Sequence, residues 1–429
     1  MALNKEQNEQ LTRTGPGTLL GELFRRYWIP AILAEEIAER DGPPVRVQLL
    51  GEKLVAFRDT EGRIGMIDEF CAHRGVSLWF GRNEECGLRC PYHGWKYDVN
   101  GHCVDLPSEA EETGMRSRIK LKSYPTLEQG GVIWVYMGPP ALQPEPPALE
   151  WTLVPAENRF ASKRMQECNY LQAIEGGIDS SHVSFLHSGA LNRDPLFKEG
   201  SRANSYNLRD RMPHFEVVEY EGGLLIGARR KADNDRWYWR ITPFILPWHT
   251  LIPPRAGHPI GGHAWVPIDD ENCWAWSINY HPNRALTAGE LKAMQEGKGI
   301  HVKYVPGTFI PLANKTNDYM MDRSTQKSGV NYSGIEGIAM QDASLQESMG
   351  PIQDRTRENL CSTDNGIIMT RRLLLKAGKD NRDGKPLPGL KPDTQRVRSC
   401  AIELPRDVKF KDGAWDGMFR PLNTDPVTV

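Results

Sequence analysis

Two short segments, CAHRG at 71–75 and CPYHGWKY at 90–97, decide how the rest of this chain is interpreted. Each segment supplies one cysteine and one histidine, as C-x-H in the first and C-x2-H in the second. Gly75 follows the first pair, and Pro91 and Gly94 lie in or beside the second, so each pair is short enough to occupy the loop of one β-hairpin. The two loops therefore predict a single metal centre, with four candidate ligands: Cys71, His73, Cys90 and His93.

Three interpretations of these four residues are open. Cysteine and histidine are often simply packed in a core, although two matched pairs beside turn residues argue against coincidence. A structural zinc site is a sharper alternative, but zinc loops usually place two cysteines together and two histidines together. A [2Fe–2S] centre of the Rieske type binds one iron by two thiolates and the other by two imidazoles, which raises its reduction potential. The mixed loops favour this third interpretation.

Composition excludes several other classes of protein. The chain has 429 residues, of which 39% are hydrophobic and 25% charged, and its net charge is -2. These values are typical of a soluble globular protein with two or three domains, without the basic surplus that favours nucleic acid or an anionic membrane. No apolar run approaches the ~20 residues that cross a bilayer. The polar N-terminus lacks the apolar core of a signal peptide, so we expect a cytoplasmic location. The eight cysteines are then expected to be free thiols or metal ligands, with Cys86 and Cys103 as ordinary thiols.

Outward from the two segments, the chain is expected to form an α+β fold. Residues 1–43 form an N-terminal helical segment in this prediction. Residues 44–138 alternate short apolar stretches with turn residues, which is typical of consecutive hairpins and predicts a small all-β domain. Residues 139–150 are rich in proline and form a linker. Residues 151–429 mix strand and helix patterns, which predicts a larger domain with an antiparallel sheet and helices.

A second group of candidate ligands lies in IEGGIDSSHVSFLHS at 174–188. Asp179 and His182 are three residues apart and are neighbours on a helical turn. His182 and His187 are five apart, about 140° around an ideal helix, so they converge only if the helix distorts or ends between them. Taken alone, this pattern is as typical of a polar helix face as of a metal site. Beside an iron–sulfur centre, two histidines and a distant carboxylate indicate the facial triad of non-haem Fe(II) oxygenases.

Together these motifs resemble the catalytic subunit of Rieske non-haem iron ring-hydroxylating oxygenases, in particular the phthalate 4,5-dioxygenase group. C-x-H-R-G followed by C-x-Y-H-G-W matches the cluster motif, and the resemblance continues through EGGIDSSHVSFLHS to MQDASLQESMGPIQDR. It implies that Cys71 and Cys90 hold one iron of the cluster while His73 and His93 hold the other. It also implies a helix-grip-like catalytic domain.

The same resemblance implies roles at the second site. His182 and His187 bind a mononuclear Fe(II), and Asp179 passes the electron by contacting the first of them and His93 of a neighbouring subunit. A carboxylate suits this role because it accepts hydrogen bonds from two imidazoles. Spacing alone does not choose the third ligand among four carboxylates: Asp342, Glu347, Asp354 and Asp364. The family position favours Asp342, with Asp354 as the alternative.

Arginine is the residue suited to a planar clamp on a carboxylate. Arg240 lies in the otherwise apolar WYWRITPF, where a charge is costly unless paired, so we expect it to face an internal anion. The alternative is an arginine on an exposed strand edge. By resemblance, Arg240 matches a carboxylate-binding arginine of phthalate dioxygenases, and Ser180 matches a serine near the substrate. A second such arginine does not align; Arg209 is the candidate, with Arg202 behind it.

The expected function is that of a terminal oxygenase that uses O2 to dihydroxylate an aromatic carboxylate, a phthalate isomer or a 3-substituted benzoate such as 3-chlorobenzoate. The alternatives are a Rieske monooxygenase that performs O-demethylation or aryl-ether cleavage, and a zinc-stabilised binding protein. The chain has no G-x-G-x-x-G nucleotide motif and no four-cysteine ferredoxin run, so we expect a separate NADH-dependent flavin and ferredoxin-type reductase. Electron transfer between subunits implies a homo-oligomer, either a trimer or a hexamer of stacked trimers.

Overall fold

The computed structural model describes residues 3–198 and 202–429, which divide into two compact units. The smaller unit comprises Gly15–Gly17 and Phe24–Pro146, and the larger unit comprises the other described residues. The smaller unit is built from strands, and the larger one combines a sheet with helices. The predicted α+β fold is confirmed.

The smaller unit contains three antiparallel sheets. Burial differs among its strands: Val45–Leu49 buries alternate residues, whereas Trp28–Leu33 and Val132–Tyr136 are buried throughout. The strands are β1 (Trp28–Leu33), β2 (Val45–Leu49), β3 (Glu52–Arg58), β4 (Ile64–Asp68), β5 (Arg82–Glu84), β6 (Gly87–Arg89), β7 (Lys96–Tyr97), β8 (Cys103–Asp105), β9 (Thr126–Gln129) and β10 (Val132–Tyr136). The three sheets have the strand orders β2-β3-β4, β1-β10-β9 and β5-β6-β7-β8.

The N-terminal segment differs from its prediction. Residues 1–43 were expected to be helical, but Trp28–Leu33 forms the fully buried strand β1. This strand pairs with β10, with Trp28 opposite Tyr136. A short apolar run such as WIPAIL has the periodicity of neither element, so its partner strand decides its conformation.

The larger unit has one eight-stranded antiparallel sheet. The strands are β11 (Arg159–Gln166), β12 (His214–Tyr220), β13 (Gly223–Lys231), β14 (Arg236–Ile245), β15 (His249–Ile252), β16 (Ile260–Pro267), β17 (Cys273–Tyr280) and β18 (Cys400–Pro405). Their order in the sheet is β11-β17-β16-β15-β14-β13-β12, and β18 pairs with β14. The predicted hairpin at 214–231 is confirmed, because β12 and β13 pair from Tyr220 opposite Gly223 to His214 opposite Arg229.

Twelve α-helices accompany these strands in the described part of the chain. Across those residues, every helix is too short or too polar to cross a bilayer. The helices are α1 (Lys5–Thr12), α2 (Leu19–Phe24), α3 (Met115–Arg118), α4 (Glu150–Leu153), α5 (Tyr170–Ile178), α6 (Arg202–Arg209), α7 (Ala288–Gln295), α8 (Arg323–Lys327), α9 (Ile338–Ser348), α10 (Asn365–Arg382), α11 (Phe410–Gly413) and α12 (Trp415–Met418).

Helix α5 is held close to the sheet and to α9 by a pair of glycines. A Cβ atom at Gly177 would lie 2.0 Å from the Trp265 ring of β16, and one at Gly176 would lie 2.1 Å from the Gln346 side chain of α9. The Trp265 ring leaves no room for a side chain at Gly177, whereas a side chain at Gly176 would require the end of Gln346 to move. The end of α5 is thereby fixed beside α9.

Candidate metal centres and substrate cavity

The two cysteine–histidine loops of the smaller unit have the same type of backbone turn. The Gly75 N–H donates to the Cys71 carbonyl at 2.9 Å, and the Gly94 N–H donates to the Cys90 carbonyl at 3.0 Å. Both glycines have a left-handed backbone, with φ of 73° and 78°. Each turn therefore folds its loop back onto its own cysteine, which is why local sequence is enough to build both halves of the site.

The four predicted ligands form a cysteine pair and a histidine pair that differ in exposure. Cys71 and Cys90 are buried, whereas His73 is exposed and His93 is half-buried. The Nδ1 atoms of the two histidines lie 3.1 Å apart, and their rings are inclined at 74°. Two buried thiols and two imidazoles whose Nδ1 atoms face each other match the donor set of a Rieske cluster.

Tyr97 adds a contact that the sequence analysis did not single out. Its hydroxyl oxygen lies 3.3 Å from Cys71 Sγ and accepts a hydrogen bond from the Ala72 N–H at 3.2 Å. A thiolate at Cys71 has no proton, so it would accept the hydrogen bond from the Tyr97 hydroxyl. The position of Tyr97 within CPYHGWKY was visible in the sequence, but its distance from Cys71 required the fold.

In the larger unit, α5 ends at Ile178 and so solves the spacing problem of the two histidines. Asp179 has an extended backbone, and its Oδ1 accepts a hydrogen bond from the Ser181 N–H at 2.6 Å. A short 3-10 turn, His182–Ser184, follows. Both histidines therefore lie beyond the end of the helix, and their Nε2 atoms are 3.2 Å apart.

Asp342 of α9 completes this group. Its Oδ1 lies 3.5 Å from His182 Nε2 and 3.3 Å from His187 Nε2, so the three side chains could hold one metal ion. Burial acts to raise the pKa of Asp342, but the neighbouring His187 and His182 rings lower it to about 2. A carboxylate that stays ionised beside two imidazoles is the donor set of a facial triad.

The other carboxylates considered from the sequence lie elsewhere. Asp354 is exposed, and its Oδ1 accepts hydrogen bonds from the backbone and hydroxyl of Thr356. Glu347 accepts hydrogen bonds from Tyr319 and from the Glu167 N–H, and Asp364 accepts one from the Cys361 N–H. Of the four candidates, only Asp342 belongs to the histidine group.

The outer nitrogens of the two histidines face acceptors. His182 Nδ1 lies 3.4 Å from Asp179 Oδ2, and His187 Nδ1 lies 2.8 Å from Gln341 Oε1. An acceptor at Nδ1 places the proton there and leaves the Nε2 lone pair free for a metal. Gln341 was not found by the sequence analysis, although it directly precedes Asp342.

A cavity of about 790 Å³, including its open mouth, adjoins this group. Its walls include the apolar side chains of Val183, Leu191, Phe197, Ile252 and Ile300. Three buried arginines also line it: Arg164, Arg240 and Arg255. The cavity therefore combines apolar walls with an excess of positive charge.

Arg240 and Arg255 supply two of these positive charges. The Arg240 side chain is 6% exposed and makes no hydrogen bond with any residue that the structure describes. The Arg255 Nε–H donates to Asn204 Oδ1 at 3.1 Å. Burial, with the nearby Arg240 charge, lowers the pKa of Arg255 to about 9. A buried cation without a carboxylate partner is unfavourable, so we expect an anionic group to bind beside these arginines.

The structure corrects the prediction for Arg209 and Arg202. Helix α6 buries Ala203, Asn204, Tyr206 and Asn207, so both arginines lie on its opposite face. Arg209 is half-exposed and pairs with Asp233 at 2.9 Å. Arg202 pairs with Glu403 at 3.3 Å. Neither side chain lines the cavity.

Ser180 does line the cavity, and a buried arginine holds it there. The Arg230 guanidinium donates to the Ser180 hydroxyl at 3.1 Å and to its carbonyl at 2.5 Å. Burial lowers the pKa of Arg230 to about 10. Arg230, which the sequence analysis missed, thus fixes the residue that follows Asp179.

Comparisons with known proteins agree with both sites. A Rieske [2Fe-2S] domain model matches residues 27–125, and a model described as LigXa C-terminal domain like matches residues 135–405. The 3-chlorobenzoate-3,4-dioxygenase oxygenase subunit of Comamonas testosteroni is 40% identical over 399 residues, 90% of this chain and 91% of that protein. The phthalate 4,5-dioxygenase oxygenase subunit of Pseudomonas putida is 37% identical over 425 residues, 96% and 94% of the two chains.

Among solved structures, dicamba monooxygenase bound to dicamba is similar, with a TM-score of 0.59 at 19% identity. The similarity covers 84% of this chain and 99% of that one, and it shows the shared fold.

The fold and the two sites define a Rieske-type oxygenase, an oxidoreductase with a [2Fe–2S] cluster and a mononuclear iron site. The chain belongs to this family as an oxygenase alpha subunit, similar over nearly its full length to the 3-chlorobenzoate and phthalate dioxygenase subunits. The predicted family and cofactors are confirmed, and the alternative of a zinc-stabilised binding protein is wrong.

Proposed function

We propose that this oxygenase dihydroxylates an aromatic carboxylate, either a phthalate isomer or a 3-substituted benzoate such as 3-chlorobenzoate. The observation that carries the proposal is Arg240, a buried cation without a partner among the described residues, in the wall of the cavity that adjoins His182, His187 and Asp342. The names of the two relatives, both of which act on aromatic carboxylates, support it.

Arg240 is the proposed anchor for the substrate carboxylate, and Arg255 takes the place of Arg209 as the second candidate. A guanidinium can bind a carboxylate through two parallel hydrogen bonds, which fixes both position and orientation. Leu191, Phe197 and Ile252 offer apolar surface to the ring. Ser180, held by Arg230, is a polar group for a second substituent.

His182, His187 and Asp342 are the proposed iron ligands. When bound, Fe(II) supplies the open positions at which O2 and substrate are brought together. The surrounding residues prepare that site: Asp179 and Gln341 hold the outer nitrogens of the two histidines. The buried setting of His187, which is 4% exposed, limits the access of water.

Cys71, Cys90, His73 and His93 are the proposed cluster ligands, and Asp179 is the proposed bridge for the electron. Asp179 Oδ2 already faces His182, and we expect it also to accept a hydrogen bond from His93 of a neighbouring subunit. This role requires a homo-oligomer, a trimer or a hexamer of stacked trimers. Exposed aromatic side chains near the cluster loops, Phe80 at 61% and Tyr92 at 57%, support a protein contact there.

A separate NADH-dependent flavin and ferredoxin-type reductase is the proposed electron donor. Both relatives are named as oxygenase subunits, which indicates systems with further components. The exposure of His73 gives a partner protein direct access to the edge of the cluster.

A single turnover tests the function without knowledge of the reductase. Protein that contains both metals is reduced chemically, then exposed to O2 with phthalate, isophthalate, 3-chlorobenzoate or 3-methoxybenzoate, and the products are identified by mass. We expect a diol from at least one acid. A demethylated product without any diol would favour the monooxygenase alternative, and no product from any acid would contradict the proposal.

The matched variants are Arg240→Gln and Arg209→Gln. Each removes one guanidinium, but only Arg240 lines the cavity, whereas Arg209 pairs with Asp233 at the surface. We expect product from the Arg209 variant and little from the Arg240 variant. Equal yields from the two would remove Arg240 from the substrate site.

A further inference from the structure

His187 is held by an amide, not by a carboxylate. Gln341 lies next to Asp342 on α9 and is 1% exposed. Its Oε1 lies 2.8 Å from His187 Nδ1, which is a shorter contact than the 3.4 Å between Asp179 Oδ2 and His182 Nδ1. One helical turn therefore contributes both a metal-site carboxylate and the group that orients a different metal-site residue.

The orientation of the Gln341 amide follows from its other contacts. Gln341 Nε2 donates to the Ile335 carbonyl at 3.0 Å and to Asn331 Oδ1 at 3.1 Å. A backbone carbonyl only accepts hydrogen bonds, so the amide atom beside Ile335 must be the nitrogen. The oxygen then faces His187, and because it cannot donate, His187 Nδ1 carries the proton. The Nε2 lone pair of His187 is left to face His182 and Asp342.

The anchor behind Gln341 is itself fixed by a tight turn. Asn331 Oδ1 also accepts hydrogen bonds from the Ser333 backbone and hydroxyl, at 3.2 and 3.1 Å. The Asn331 side-chain amide in turn donates to the Ile335 carbonyl. Gln341 thus connects the His187 ring to a closed turn at 331–335 that precedes α9.

We propose that Gln341 is a positioning residue that fixes the tautomer and the ring orientation of His187 and thereby sets how tightly the mononuclear site binds a divalent metal. The inference rests on the proposed role of His187 as an iron ligand. Groups that orient a metal-binding histidine typically change metal affinity about 10- to 100-fold when removed.

The test compares Gln341→Met with Gln172→Met. Gln172 is a buried glutamine of α5 with the same number of hydrogen bonds: its amide donates to the Gln346 and Gly350 carbonyls, and its oxygen accepts from the Gln353 N–H. It does not contact either histidine. The two variants therefore lose comparable buried contacts, and only one loses the bond to His187.

The measured quantity is the affinity for Co(II), by equilibrium dialysis of protein with its [2Fe–2S] cluster in place and the mononuclear site emptied by a chelator. The electron paramagnetic resonance spectrum of bound Co(II) reports its ligand geometry. We expect Gln341→Met to bind Co(II) about 10- to 100-fold more weakly with an altered spectrum. We expect Gln172→Met to stay within about twofold, because it leaves the bond between Gln341 and His187 in place.

Affinity and spectrum of Gln341→Met like those of the unaltered protein would overturn the inference. An equal loss in Gln172→Met would also overturn it, because the effect would then reflect packing alone. Unaltered protein that binds no Co(II) outside its cluster would refute the assignment of the iron ligands, and this inference with it.

Discussion

The two histidine pairs of this protein have nearly the same geometry and opposite surroundings. The facing nitrogens are 3.1 Å apart in His73 and His93 and 3.2 Å apart in His182 and His187. His73 is exposed, whereas His187 is 4% exposed and adjoins a cavity. Donor distance is therefore common to both sites, and burial distinguishes them: in the proposed function the exposed pair belongs to the centre that receives electrons, and the buried pair to the centre beside the substrate.

The two pairs also use opposite ring nitrogens. The cluster histidines converge through Nδ1, while the histidines of the larger unit converge through Nε2 and leave Nδ1 to Asp179 and Gln341. The protein thus fixes the rings at the buried site with hydrogen bonds, whereas at the exposed site Trp95 stacks on His73 at 4.6 Å. The predictions below test whether the two sites can be disturbed separately.

The largest effect is expected from Asp342→Ala. Removal of the carboxylate leaves two histidines, so we expect loss of the mononuclear iron and no detectable turnover, with the cluster absorbance unchanged. Metal analysis together with the visible spectrum measures both. The control is Asp354→Ala, which removes an exposed carboxylate outside the site and should keep its iron. If the Asp354 variant lost its iron and the Asp342 variant kept it, Asp354 and not Asp342 would be the third iron ligand.

Asp179→Asn should interrupt electron transfer between the cluster and the mononuclear iron, while both metal centres stay bound. Asparagine keeps the size of the side chain but loses the charge that faces His182 Nδ1. We expect full iron and cluster content and a turnover lower by about 100-fold. Product formation under steady reduction is the measurement. Normal product formation by this variant would remove Asp179 from the electron path.

Arg240→Gln should affect only the buried site, through substrate binding. Loss of one partner from a buried charge pair costs about 2 kcal/mol or more, which is roughly 30-fold in affinity. We expect KM for the aromatic acid to rise by at least this factor, with the cluster potential unchanged. Arg209→Gln, at the surface, is the control. An unchanged KM in Arg240→Gln would show that the acid binds elsewhere.

The smallest effect is expected from Tyr97→Phe, at the exposed site. The hydroxyl lies 3.3 Å from Cys71 Sγ, and a hydrogen bond to a cluster sulfur stabilises the reduced state. A bond worth about 1 kcal/mol corresponds to about 40 mV for one electron. We expect the potential to fall by this order in a redox titration, with metal affinity at the other site unchanged. A potential that stays constant or rises would show that Tyr97 does not donate to Cys71.

Residues close together in the chain were the ones that sequence could place. Cys71 with His73, and Cys90 with His93, each occupy a single turn, so their spacing carries the geometry. The convergence of His182 and His187 was predicted to require a helix that distorts or ends between them. Helix α5 instead ends at Ile178, before both histidines, and a 3-10 turn begins at His182. Strand β1 was missed, because its conformation depends on pairing with β10, about a hundred residues away.

Sequence was enough to predict the family, the cofactors and the paired ligands of both sites, because the two members of each pair lie within five residues of each other. Asp342 was chosen by resemblance and not by spacing. Which arginines line the cavity and which group orients His187 became known from the folded chain alone. Helix α6 turns Arg209 toward solvent while the segment after β15 turns Arg255 inward, and Gln341 meets His187 across 154 residues of chain. Such contacts depend on which faces of distant elements pack together, and the local sequence around each residue does not specify this packing.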